Sequence, residues 1–232
     1  AREQLQGKHR VGRVIARPFK GSPGNYSRLS GDRRDYAVPP PQETLMDKLT
    51  RAGVGVYGIG KIEDIFVGNG MSHAKHTGSN KEGLELTLQT VMNQNDWKKL
   101  QIASQEPDSV QFTFTNLVDT DSLFGHRRDA KGYAKALVEI DEWLGKITAA
   151  MTRDDLLIIS SDHGNDPTAP GTDHTREFVP LLAYSPSFAN LTNHDTGIRK
   201  GFTDIAASIA HWLGQPWDGP GVSFLTETPS LV

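Results

Sequence analysis

The sequence has no cysteine among its 232 residues, which excludes a disulfide framework, thiolate metal sites and a cysteine nucleophile. It also lacks a long apolar run. Nothing approaches the roughly 18 residues that a membrane span needs, and the opening stretch AREQLQGKHRVGRVIARPF is charged throughout, unlike a signal peptide. Nor is one sign of charge in excess: Lys and Arg total 25 against 28 Asp and Glu, a net charge of −3. That balance gives no electrostatic footprint for nucleic acid, so none is expected as a partner. Internal repeats and low-complexity tracts are absent too. What remains is ordinary, with 36% hydrophobic and 23% charged residues, in a chain long enough to bury a core. The expectation is a cytoplasmic enzyme or binding protein with no membrane association. The chain opens at Ala1 in what reads as the tail of a polar helix, as though it started inside a larger unit.

Hydrophobic patterning supplies the elements. Residues 11–19 (VGRVIARPF) are β-branched and bounded by turn formers, which predicts a strand. The turn-rich basic stretch KGSPGNYSRLSGDRRDY reads as a loop, either solvated or ligand-contacting. Pro39, Pro40 and Pro41 punctuate the chain between two units. Beyond them, Leu45, Leu49 and Ala52 share one face of a helix over 42–52, stopped by Gly53. A buried strand is predicted over 54–62, and the loop MSHAKHTGSN follows, open to a substrate role or to none. Leu84, Leu88 and Val91 predict a helix over 80–93. A strand is expected over 109–118. Tyr133, Leu137, Ile140, Leu144 and Ile147 mark the clearest helix, over 130–151. DLLIIS (155–160) and VPLLAY (179–184) are continuous apolar runs of parallel-sheet type. The last helix is predicted over 203–213, with Thr203 as N-cap and Gly214 at its stop. Strands alternating with helices imply an α/β fold with a mostly parallel sheet flanked by helices. Such sheets bind ligands beyond the carboxyl ends of their strands.

Three successive strand-end regions carry carboxylates and imidazoles. The 109–118 strand runs into Asp119, Asp121 and His126. The 155–160 strand runs into Asp162 and His163. His174 lies just before the next strand. Each feature alone is unremarkable, since an Asp-His pair after a strand is more often a turn beside a surface histidine. Together they form an oxygen and imidazole donor set suited to Mn²⁺, Zn²⁺ or Mg²⁺. Asp162 and His163 are neighbours that can diverge toward two ions where the chain turns through Gly164. Two ions about 3.5–4 Å apart clamp phosphoryl oxygens. Arg28, Arg33, Arg34, Lys75, Arg127 and Arg128 all fall in expected loops, as phosphate-ester chemistry around such ions would require. His9, His194 and His211 read as structural.

DTDSLFGHRRD, SSDHGNDPT and GTDHTREFVPLLAYS, in that order, resemble the phosphopentomutase family of the alkaline phosphatase superfamily. Upstream, VGRVIARPF, RRDYAVPPP and GIGKIEDIFVGNG extend the resemblance over nearly the whole chain. It implies an alkaline-phosphatase-like α/β core with an inserted α+β cap. Residues 1–39 would be the C-terminal remnant of that cap, and 40–232 the C-terminal part of the metal-binding core. It implies interconversion of ribose 1-phosphate and ribose 5-phosphate, and of the deoxyribose equivalents. The cofactors implied are two Mn²⁺ ions, with a sugar bisphosphate activator that primes a phosphorylated threonine. By motif, Asp121, His126 and His174 would surround one ion, Asp162 and His163 would face the other, and Arg28 and Lys75 would meet the sugar phosphate. The family's Asp-Ser-x-Gly-x-Gly segment and its threonine nucleophile have no match here, so no catalytic residue is assigned. The alternatives are another metal-dependent phosphosugar mutase or phosphatase of that superfamily, or an inactive metal-binding fragment.

Overall fold

The computed structural model describes residues 3–5, 7–29, 32, 34–92, 110–188 and 195–227. Before the proline run the chain forms β1 (Arg13–Ala16), β2 (Phe19–Ser22), β3 (Asn25–Arg28) and β4 (Arg34–Ala37). They pair as two antiparallel ribbons, β1 with β4 and β2 with β3. Two expectations change here. The strand predicted over 11–19 is interrupted at Arg17 and Pro18, because proline has no N–H to give a ladder. The stretch expected to be a loop is a hairpin: Ser22 pairs with Asn25, which leaves Pro23 and Gly24 (φ +83°) as its turn.

Past the prolines the expected order holds. Thr44 caps α1 (Leu45–Arg51) in a reciprocal box with Asp47, the Thr44 N–H reaching Asp47 Oδ2 at 2.8 Å. Helix α1 buries Met46 and Leu49, and Gly53 (φ +81°) turns the chain into β5 (Gly55–Ile59). All of β5 is buried. It pairs in parallel with β6 (His73–Lys75) on one side and β7 (Val110–Thr115) on the other. The central sheet is therefore parallel, in the order β6-β5-β7. Met46, Leu49, Val54, Val56 and Ile62 form the core between α1, β5 and α2 (Ile62–Phe66). Ile62, expected at the end of a strand, instead opens α2, and the expected loop over 71–80 contains β6.

Helix α3 (Asn80–Met92) lies against β7 and α4 (Ala130–Ala150). On α4 the buried positions are Ala136 and Ile147, while Leu137, expected inside, is 50% exposed. The small Ala136, not Leu137, therefore lies on the packed side. β8 (Leu157–Ser160) and β9 (Leu181–Tyr184) pair antiparallel, not parallel as their apolar runs suggested. A parallel pair needs a crossover, usually helical, and residues 161–180 contain no helix. Helix α5 (Thr203–Trp212) starts from Phe202, so Thr203 is its first helical residue and not its cap. Among the described residues no helix is long and apolar enough to cross a membrane.

Candidate metal centre

Strand β7 leads into a single π-helical turn, Thr120–Gly125. Its wide i→i+5 closure runs from the His126 N–H to the Asp121 carbonyl at 3.0 Å. That widening places residues five apart on one face, and His126 Nε2 lies 3.4 Å from Asp121 Oδ1. Such turns recur at functional sites. Upstream, Asn80 and Asp119 hold each other's backbone: the Asp119 N–H donates to Asn80 Oδ1 at 2.9 Å and the Asn80 N–H to Asp119 Oδ2 at 2.7 Å. The start of α3 thereby anchors the segment that carries Asp121.

The other ligand candidates come from the segment linking β8 to β9. His174 Nε2 approaches Asp121 Oδ1 at 3.3 Å. The rings of His163 and His174 stack with centroids 3.6 Å apart, and those of His126 and His174 lie 4.8 Å apart. Asp162, 69% exposed, keeps its Oδ1 3.6 Å from His163 Nε2. All five residues expected to bind metal thus form one continuous cluster. Its tightest subset is Asp121, His163 and His174, whose donor atoms lie within 4.8 Å of one another.

The histidines are presented for coordination. His126 Nδ1 donates to the Thr172 carbonyl at 2.5 Å and His163 Nδ1 to the Gly164 carbonyl at 3.1 Å. A carbonyl only accepts, so in the neutral ring Nε2 keeps its lone pair. Carboxylate and imidazole donors without sulfur suit a divalent cation of the Mn²⁺, Zn²⁺ or Mg²⁺ kind. Asn165, buried and unassigned by sequence reading, donates from Nδ2 to Asp121 Oδ1 at 2.5 Å. Two glycines make these approaches possible. A Cβ on Gly125 would overlap the Asn165 side chain, and one on Gly164 would lie 2.8 Å from the Thr175 carbonyl. Tyr133, half-buried on α4, has its hydroxyl pKa pushed up, first by burial and then by the charges of Asp121 and Glu177.

The remaining candidates fall elsewhere. Lys75 ends β6 beside Ile59, whose other neighbour is Thr115 of β7. It therefore sits at the sheet edge from which the Asp121 segment leaves. Arg28 ends β3, paired with Phe19 in a ribbon separate from the central sheet. Arg128, grouped with phosphate-binding cations by sequence, instead turns onto backbone carbonyls: Nε reaches Gly171 O, Nη1 reaches Asp166 O and Nη2 reaches Asp173 O, each at 2.6 Å. His76 lies 3.1 Å from Glu63, and His211 meets Ser223 Oγ at 3.0 Å, a structural contact as expected. His194 and Arg33 lie outside the described residues. The signal that could have found Asn165 is its place two residues after His163.

Comparison with known proteins converges on one group. The metalloenzyme superfamily matches residues 21–216. A phosphopentomutase of Caldanaerobacter subterraneus subsp. tengcongensis is 49% identical over 100% of this chain and 55% of its own length. One from Deinococcus radiodurans is 48% identical over 98% of this chain and 54% of its own length. One from Alkaliphilus metalliredigens is 46% identical over 97% of this chain and 53% of its own length. The chain spans about half the length of the curated relatives it matches.

Proposed function

This chain belongs to the metalloenzyme superfamily, and from that premise we propose that it supplies the metal-binding part of a phosphopentomutase, acting on (deoxy)ribose 1- and 5-phosphates in the cytoplasm. The observation that carries this reading is the meeting of Asp121, His126, Asp162, His163 and His174 in one cluster. In it, Asp121, His126 and His174 would hold one ion and Asp162 and His163 a second, with Mn²⁺ the expected metal and Zn²⁺ or Mg²⁺ suited by the same donors. When bound, two such ions polarise and clamp phosphoryl oxygens. Asn165 fixes the Asp121 carboxylate, and the carbonyls of Thr172 and Gly164 fix the imidazoles. The Tyr133 hydroxyl, its pKa raised by burial and by the nearby charges of Asp121 and Glu177, stays neutral beside the site. Lys75, at the same sheet edge, and Arg28 are the residues that would meet the sugar phosphate. Residues 1–39 are read as cap and 40–232 as core, in line with the separate ribbons before the prolines and the parallel sheet after them. The phosphothreonine and its sugar bisphosphate activator belong to this reading, which assigns no threonine of this chain as nucleophile.

The test is product analysis on ribose 1-phosphate with Mn²⁺ and a sugar bisphosphate. The chain is assayed alone and together with the part of the Caldanaerobacter relative that it does not match. Ribose 5-phosphate formed by the pair and lost with Asp121→Ala supports the mutase. Free phosphate in its place identifies a phosphatase instead. Separately, Asp121→Ala and His174→Ala each weaken Mn²⁺ binding by more than the about 10–100-fold that losing an outer partner costs. Unchanged affinity removes these residues from the site.

A further inference from the structure

We propose that Arg128 is a positioning residue that locks the two halves of the metal cluster together. Two separate segments must meet for the cluster to exist: the π turn with Asp121 and His126, and the segment ending at His174. Arg128 follows the π turn, its N–H donating to the Gly125 carbonyl at 3.1 Å. Its backbone takes φ +56°, a conformation that side-chain-bearing residues disfavour. That bend sends the guanidinium onto the loop between His163 and His174. Nε, Nη1 and Nη2 donate to the carbonyls of Gly171, Asp166 and Asp173 respectively, and Nη1 also lies 3.4 Å from Asn165 Oδ1. One rigid fork therefore fixes three points of the loop that ends at His174. Asn165, also touched by the fork, binds Asp121, and the loop's Thr172 carbonyl orients His126.

This use of arginine differs from phosphate binding. All three of its nitrogens are engaged by protein acceptors of the loop, so the side chain is spent inward. Lysine would keep the charge but has neither the planar fork nor its fixed donor angles. Position 128 thus acts on the metals through His174, Asn165 and His126 without touching them. The inference rests on the metal-site reading above and sharpens it by naming what sets the spacing of the ligands.

The experiment compares the wild-type chain with Arg128→Lys, Arg127→Ala, Asp121→Ala and His174→Ala. The readouts are Mn²⁺ affinity and the visible absorption spectrum of the chain loaded with Co²⁺. Arg128→Lys is expected to lose about 10–100-fold in affinity, as outer partners of metal ligands do, and to shift the Co²⁺ bands because the ligand geometry relaxes. Arg127→Ala, which removes one exposed charge next door, keeps both. Arg128→Lys with wild-type affinity and spectrum overturns the positioning role, as does an equal loss in Arg127→Ala, which would show that charge alone matters. If Arg128→Lys does not fold, Arg128→Gln replaces it, and failure of both overturns a local role in favour of a global one. Should Asp121→Ala and His174→Ala keep full affinity, the metal-site reading itself fails. Should they lose it while Arg128→Lys does not, only the positioning role fails.

Discussion

Strand β5 and the β8–β9 ribbon are similarly apolar as sequence, GVYGI against LIIS and LLAY, yet they do opposite jobs. Every residue of β5 is buried, with parallel partners on both edges, α1 and α2 at the core and α3 in contact as well. The ribbon is two antiparallel strands, with Leu182 and Tyr184 of β9 58% and 45% exposed. An apolar run therefore becomes core only where both faces are covered. Chemistry follows the same division. The central sheet fixes where Asp121 starts, and the ribbon carries Asp162, His163 and His174 on the loop that joins its strands. Burial is concentrated in the first region, and three of the five candidate metal ligands lie in the second.

The sharpest way to break this contrast is Ile59→Ala. Ile59 is fully buried at the carboxyl end of β5. Its truncation leaves a cavity expected to cost about 2–5 kcal/mol, read as a lower urea midpoint with an unchanged slope. A cost below about 1 kcal/mol would mean that the central sheet is not the stable core.

How much of this was legible in the sequence depends on which physical signal was asked. The 45–51, 80–92, 130–150 and 203–212 helices and the β5, β7, β8 and β9 strands carry periodicity or continuous apolarity, and they lie within a few residues of where the pattern put them. Sheet direction was not legible for β8 and β9, because it depends on the connection and not on the strand. The hairpin over 19–28 was masked by its charges and turn formers, since ribbons with little buried surface need no apolar alternation. For the site, residue types named the ligand candidates, but their convergence depends on a π turn that no helical periodicity reveals. Arg128 is the instructive error. As a basic residue in a loop it was grouped with phosphate-binding cations, and the bonds of its guanidinium to the carbonyls of Asp166, Gly171 and Asp173 show that it points inward.

Acid is expected to act on the central sheet before it acts on α5. Burial pushes the pKa of His73, on β6, below its ordinary 6.5. The fold therefore prefers the neutral ring, so this contribution is complete above about pH 6.5 and is lost as pH falls toward the lowered value. Asp204 on α5 is shifted down too, chiefly by the Val222 N–H and also by Arg199. Its contribution is present above 3.8 and disappears only as pH falls below that value. Urea midpoints are thus expected to decline in two stages, and His73→Gln removes the first. A single decline confined to the lower window would leave the central sheet without this acid sensitivity.

The smallest effect is the complement of the largest. Leu182→Ala removes a side chain of β9 that is already 58% exposed. Much of its apolar surface is hydrated in the folded chain, so its loss changes little that folding gained. The expected cost is within about 0.5 kcal/mol, several-fold less than for Ile59 although the residues are similar in size. The same urea measurement decides it. A cost near that of Ile59→Ala would mean that β9 is packed as tightly as β5, and the ribbon would then be a second core and not a mount for the loop that carries the candidate ligands.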